Sequence, residues 1–204
     1  MRNKDFSDFL LTEYENIAAA FFNSRDVLAK WVKYYLLVMA APFSFIAFIY
    51  KTDPNSFNIL KLPGTLSILI TLVGFIGVFL SFIIIESGMD SVLYARSVNG
   101  IRKYFVENGI LINIKQYIVL PIDTNTPVYL KLGELFWITI ITGMINSFYI
   151  ALAMPQIDVI RAYYEDIILQ KPVSITLFVV LMIIHIAYYV SASIVKNKKY
   201  GRAE

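Results

Sequence analysis

The 204-residue sequence has no cysteine, a single histidine and only 16% charged residues. The missing cysteine excludes a disulfide framework, a thiolate nucleophile, an iron–sulfur cluster and any cysteine-based zinc site. The lone histidine, His185, has no carboxylate near it in the chain, so no metal site is expected, and no cofactor motif accompanies it. Paired carboxylates inside apolar stretches, which an intramembrane aspartyl protease needs, are also missing. After Met1, Arg2, Asn3 and Lys4 the chain turns acidic at Asp5, Asp8, Glu13 and Glu15 instead of apolar, so no cleaved secretory signal is expected. Internal repeats and low-complexity segments are absent as well.

What the sequence has is apolar surface. At 58% hydrophobic residues, it is too apolar for an ordinary water-exposed domain of this size. Four stretches lack Asp, Glu, Lys and Arg: 34–50, 62–85, 135–157 and 172–195. A helix needs about 20 apolar residues to cross a hydrocarbon core of roughly 30 Å. The first stretch reaches that length when Trp31, Val32 and the stem of Lys33 are added. Pro42 falls inside it, where a membrane helix tolerates a kink because neighbouring helices can satisfy the freed carbonyl. The reading is an all-α integral membrane protein with four transmembrane helices, at about 31–50, 62–85, 135–154 and 173–195.

Basic residues set the orientation. Fourteen of the 18 lie before the first stretch, in the middle connection 86–133, or in the tail 196–204. Lys51, Lys61, Arg161 and Lys171 alone fall on the other side. The positive-inside rule therefore places both termini and the middle connection in the cytoplasm of a cell-membrane protein.

The segment 1–30 reads as an amphipathic cytoplasmic helix, because Phe6, Leu10, Tyr14, Ile17, Phe21 and Leu28 recur at helical spacing. Thr12 and Glu15 fit a capping box, and Asn23-Ser24 could end one helix and cap a second, so one helix or two remains open. The five acidic and five basic residues that precede the stretch 34–50 suit contact with protein better than a membrane-surface anchor. The middle connection begins as a helix with Tyr94, Val98, Ile101 and Phe105 on one face, and Asn108-Gly109 is its expected stop. Its second half, rich in β-branched residues and broken by Pro121 and Pro127, reads as an extended segment or short hairpin. Residues 51–61 read as a short polar outer loop. Between Pro155 and Pro172, Ile160, Tyr163, Tyr164, Ile167 and Ile168 suggest a short amphipathic helix.

Intramembrane polar groups are the first candidates for function. Thr139, Thr142, Gly143 and Asn146 share one face of the third span, and His185 sits near the middle of the fourth. Such residues either line water or hydrogen-bond a neighbouring helix, and the second is the commoner use. Glu86 and Glu134 lie at span ends, where a carboxylate stays hydrated. Arg96, Asn99, Arg102 and Lys103 form a cytoplasmic basic cluster that could attract phosphate or anionic lipid, although positive charge is expected there in any case. No nucleic-acid-binding module is present, so specific nucleic-acid binding is not expected. Ala40, Ser44 and Ala47 on the first span, and Gly77 and Ser81 near Gly74 on the second, mark faces for close helix packing.

With short outer loops, an amphipathic N-terminus and a larger middle loop, the layout resembles small four-span proteins that accompany prokaryotic antiviral defence systems. That resemblance, which is one of architecture, implies a membrane effector. The expected function is a non-enzymatic, self-associating multi-pass protein: a gated pore, a membrane-perturbing effector or the membrane anchor of a complex with a cytoplasmic protein partner. The alternative is a small-solute or ion transporter with its path between the third and fourth spans. The stripes Phe6/Leu10/Tyr14/Ile17/Phe21 and Tyr94/Val98/Ile101/Phe105 are expected to pack on one another, since neither has a partner within its own segment.

Overall fold

A computed structural model describes residues 2–52, 62–107, 129–130, 132–157, 160 and 167–200. Among the described residues the chain is all-helical, with α1 Arg2–Thr52, α2 Gly64–Glu107, α3 Glu134–Ala153 and α4 Ile167–Tyr200. Each of the four contains a stretch long and apolar enough to cross a membrane. They fit a multi-pass membrane protein. The outer loop 53–61, the Asn108-Gly109 stop, most of the extended segment before residue 129, and Tyr163 and Tyr164 lie outside the described residues.

The open question at the N-terminus resolves to one helix. α1 runs unbroken for 51 residues. Thr12 is no cap, because its hydroxyl donates to the Asp8 carbonyl one turn back at 3.1 Å, and Ser24 does the same toward Phe21 at 2.9 Å. Once a Ser or Thr hydroxyl finds a carbonyl of the preceding turn, it no longer competes with the helix. Pro42 is buried within α1. Its ring removes the helical donor of the Val38 carbonyl, and the next carbonyl, that of Met39, accepts the Tyr149 hydroxyl from α3.

α4 also differs from expectation at both ends. It starts at Ile167, so Ile167 and Ile168 form its first turn and Pro172 lies inside it, near the N-terminal end. A proline there costs a single hydrogen bond, to the carbonyl of residue 168. At the other end the helix continues through Lys196–Tyr200, the first part of the segment read as a basic tail. α3 ends at Ala153, two residues before Pro155, which cannot continue the helical ladder, and Met154–Gln156 tighten into a 3-10 turn.

The chain divides into two units, each of which gathers pieces from distant parts of the sequence. One comprises residues 30–85 and 132–190, and the other comprises 1–29, 86–131 and 191–204.

In the first unit, helices alternate in direction. Tyr35 meets Thr142 and Asn146, and Phe43 meets Tyr149, so α1 and α3 run parallel. Gly74 lies against Ile150 and Gly77 against Asn146, so α2 runs opposite to α3. Phe136 meets Tyr189 while Gly143 meets His185, which sets α4 opposite to α3 as well.

The polarity of this unit is inverted relative to a water-soluble bundle. Ser67, Thr71, Ser81, Thr139, Thr142, Asn146, Ser147 and His185 are buried. Leu37, Phe48, Phe79 and Ile175, between 62% and 68% exposed, point outward. In water this would waste apolar area and desolvate polar groups. In hydrocarbon lipid covers the apolar side chains and a polar group finds partners only inside, as Ser81, Thr139, Thr142, Asn146 and His185 do, whereas the hydroxyls of Ser67, Thr71 and Ser147 meet no partner among the described residues.

Glycine permits the closest approaches. A Cβ at Gly74 would meet Ile150 Cγ1 at 2.6 Å, and one at Gly77 would collide with the amide oxygen of Asn146 and meet Met39 Cε at 2.5 Å. The small face of the first span behaves otherwise. Ala40, Ser44 and Ala47 are exposed, and the Ser44 hydroxyl turns back onto the Ala40 carbonyl at 3.1 Å.

In the second unit, the N-terminal part of α1, the C-terminal part of α2 and the last turns of α4 pack together. Lys196 of α4 binds Asp90 at 2.7 Å and Glu86 at 3.5 Å, both on α2. The same end of α4 is held by Asn197, whose side-chain oxygen accepts from Arg96 at 3.4 Å, and by Ser193 beside Met89.

Candidate functional site

Two places carry the polar chemistry, one in each unit. In the membrane unit, Asn146 bonds to side chains from three other helices. Its amide nitrogen donates to Ser81 Oγ of α2 at 2.9 Å and to Nε2 of His185 on α4 at 3.2 Å. Its amide oxygen accepts from the Tyr35 hydroxyl of α1 at 3.0 Å, a hydrogen that Tyr35 shares with the Thr142 carbonyl at 3.1 Å.

Donors and acceptors around Asn146 are mutually consistent. Nδ1 of His185 lies 2.8 Å from the Leu181 carbonyl, which can only accept, so Nδ1 carries the proton and Nε2 is left to accept from Asn146. Ser81 gives its own hydrogen to the Gly77 carbonyl at 2.9 Å and is thereby free to accept. Neutral histidine and asparagine thus tie the helices together with every polar atom matched. Thr139 and Thr142 lie on the same buried face but return their hydroxyl hydrogens to their own helix, to the Leu135 and Thr139 carbonyls.

At one end of the same unit, the Gln156 side chain accepts from the Leu62 backbone nitrogen at 2.6 Å and donates to the Leu152 carbonyl at 2.7 Å. The link joins the start of α2 to the turn that ends α3.

The basic cluster of the other unit is brought together in part, at Asn99 and Arg102. Arg102 donates to Asn99 Oδ1 at 3.3 Å and to the Tyr14 hydroxyl at 3.1 Å. Lys103 pairs with Glu107 at 3.8 Å on the surface, where such a pair contributes little. Asn99 is buried. Of the four, Arg96 lines a cleft of about 390 Å³.

That cleft lies where the two apolar stripes meet. Phe6, Leu10 and Ile17 of α1 line it together with Ile101 of α2, and the Phe6 ring meets Tyr104 edge-on with centroids 5.4 Å apart. Tyr14 contacts Arg102, and Phe21 stacks edge-on with its neighbour Phe22. Val98 is buried, while Tyr94 and Phe105 are half-buried and line no part of the cleft. The cleft-facing stripe of α2 is Leu93, Ser97, Gly100, Ile101 and Tyr104, rotated from the expected face by part of a turn.

Sequence reasoning passed over Tyr35, Tyr149, Glu13, Tyr129 and Tyr200. A signal existed for two of them: a tyrosine in the middle of a membrane span must bond its hydroxyl to something inside the bundle. Among the described residues no group of His, Asp or Glu is arranged to hold a metal ion.

No protein-family model, curated protein or solved structure matches the chain. Its functional reading therefore rests on its own geometry.

Proposed function

We propose that this is a non-enzymatic membrane protein that self-associates in the bilayer and works through its second helical unit, as an effector or as the membrane anchor of a complex. The single observation that carries the reading is the outward face of Ala40, Ser44 and Ala47. Gly74, Gly77 and Gly143 are used up in contacts within one chain, whereas this small-residue face is left for another helix. Lipid offers no hydrophobic drive for association, so shallow helix faces that allow close backbone approach are what bring membrane helices together.

Asn146 and His185, the residues that a solute path would use, are joined to each other directly. A pore formed by this protein would accordingly run between copies rather than through one bundle. Antiviral defence stays within the same proposal as the setting that the architecture resembles.

The test is the number of copies per particle, read by single-molecule photobleaching of labelled protein in liposomes at low protein-to-lipid ratio. Two or more copies are expected, falling to one in Ala40→Leu/Ala47→Leu. A monomeric wild-type protein would refute self-association.

A further inference from the structure

The cleft between α1 and α2 has the size of a small-molecule site. From α1 come Phe6, Leu10 and Ile17, with Glu13 among them. From α2 come Leu93, Ile101 and Tyr104, and Tyr200 of α4 adds a further ring. Arg96 belongs to the lining as well, on the α2 wall opposite Glu13.

The two charges of the lining differ in what answers them. Arg96 is engaged by the protein: its guanidinium carbon lies 4.3 Å from the centre of the Tyr129 ring, Nη1 donates to Asn197, and the residue makes a further interaction. Neither Tyr129 nor Asn197 lines the cleft. Arg96 is therefore a fixed part of the fold, and a ligand has to be recognised by something else. Glu13 forms no ion pair and no hydrogen bond among the described residues. Three cations of the same unit are committed elsewhere: Arg102 bonds to Tyr14 and Asn99, Lys103 pairs with Glu107, and Lys196 pairs with Glu86 and Asp90. A half-buried carboxylate thus stands among Phe6, Leu10 and Ile17 with no cation of its own.

We infer that this cleft binds an amphiphilic amine, a molecule that carries an ammonium on an apolar chain. Glu13 accepts a charge-assisted hydrogen bond from the ammonium at the α1 wall. The rings of Phe6 and Tyr104, which meet edge-on at 5.4 Å, line the same space with Tyr200, and aromatic faces attract a cation. The chain lies along Leu10, Ile17, Leu93 and Ile101, which take its methylenes out of water. Glu13 sets the sign of the ligand. An anionic amphiphile would bring like charge against it, and a neutral one would desolvate it without a counter-charge. Arg96 keeps its own contacts on the other wall. This inference is independent of self-association, since every residue that it uses lies in one unit of one chain.

The experiment uses the full chain in a neutral maltoside detergent at neutral pH and measures binding by microscale thermophoresis. The probes are octylamine, octanol, octanoate and methylamine, which separate the charge from the chain. Saturable binding of octylamine at least tenfold tighter than each of the other three is expected. Glu13→Gln should remove the preference for octylamine over octanol and leave the unfolding temperature unchanged, because Glu13 bonds to nothing in the fold. Leu10→Trp should weaken octylamine by filling the cleft, and if that variant fails to fold, Glu13→Gln decides. Octanol or octanoate binding to wild type as tightly as octylamine would overturn the inference. So would methylamine matching it, the absence of saturable octylamine binding, or an unchanged preference in Glu13→Gln.

Discussion

The side-chain amide of Asn146 donates to Nε2 of His185 across 3.2 Å while Nδ1 of the same ring faces the Leu181 carbonyl, so the only histidine of the chain is held as one neutral tautomer. A second proton would place an N–H on Nε2 against the N–H of the amide. The protein should therefore show the Nδ1-protonated ring alone. With one histidine, a ¹⁵N-histidine NMR spectrum is unambiguous: Nε2 is expected at the unprotonated position, and a protonated Nε2 signal would contradict the network.

Removing Asn146 should loosen the bundle from the inside. Asn146→Leu keeps the volume but leaves the Tyr35 hydroxyl, Ser81 Oγ and His185 Nε2 each short of a bond. Interhelical bonds in membranes are individually modest, so the three together should cost about 2 kcal/mol. Reversible unfolding in mixed micelles with increasing denaturing detergent gives the value. A loss below about 0.5 kcal/mol would mean that the polar cluster does not hold the helices.

Gly77 and Asn146 should be coupled. A methyl group at Gly77 runs into the Asn146 amide, which three partners hold fixed, and into Met39 Cε, the flexible end of a side chain. Gly77→Ala should cost about 1–3 kcal/mol through overpacking. In an Asn146→Ala background much of that cost should vanish, because the rigid obstacle is gone and Met39 can move. The same unfolding assay on both single variants and the double variant measures the coupling, and strict additivity would rule it out.

Ile17 and Ile101 line one cleft from opposite walls. Ile17→Asp and Ile101→Asp should each destabilise the protein by about 1–3 kcal/mol through lost apolar contact. Their combination should cost less than the sum, because both disrupt one contact region. Thermal unfolding of the two single variants and the double variant provides the check, and wild-type stability in either single variant would show that the walls are not packed on each other.

The proposed orientation can be read with introduced cysteines, since the native chain has none. Asn99 and Gln156 are buried and unsuitable, whereas Asn23, Lys51 and Glu107 are exposed. A membrane-impermeant thiol reagent applied to intact cells should label Lys51→Cys and spare Asn23→Cys and Glu107→Cys. Labelling of Glu107→Cys would reverse the assignment made from the basic residues.

The four spans were legible because hydrocarbon imposes a length and a composition that charge-free stretches such as 62–85 and 172–195 display directly. Helical spacing also placed Thr139, Thr142, Gly143 and Asn146 on one face, and all four are buried. Spacing says which residues share a face, but not which neighbour that face meets. The partners of Asn146 lie 111, 65 and 39 residues away in sequence, on three different helices, so only tertiary packing could name them. The same limit applied to the small residues: Gly77 turned inward onto Asn146 while Ala40, Ser44 and Ala47 turned outward, although all are marks of close packing. Local hydroxyls misled in the same way. Thr12 and Ser24 resemble caps in sequence, yet with carbonyls of the preceding turn within reach they stay inside a continuous helix, because their bond lengths and directions depend on backbone geometry that composition does not encode.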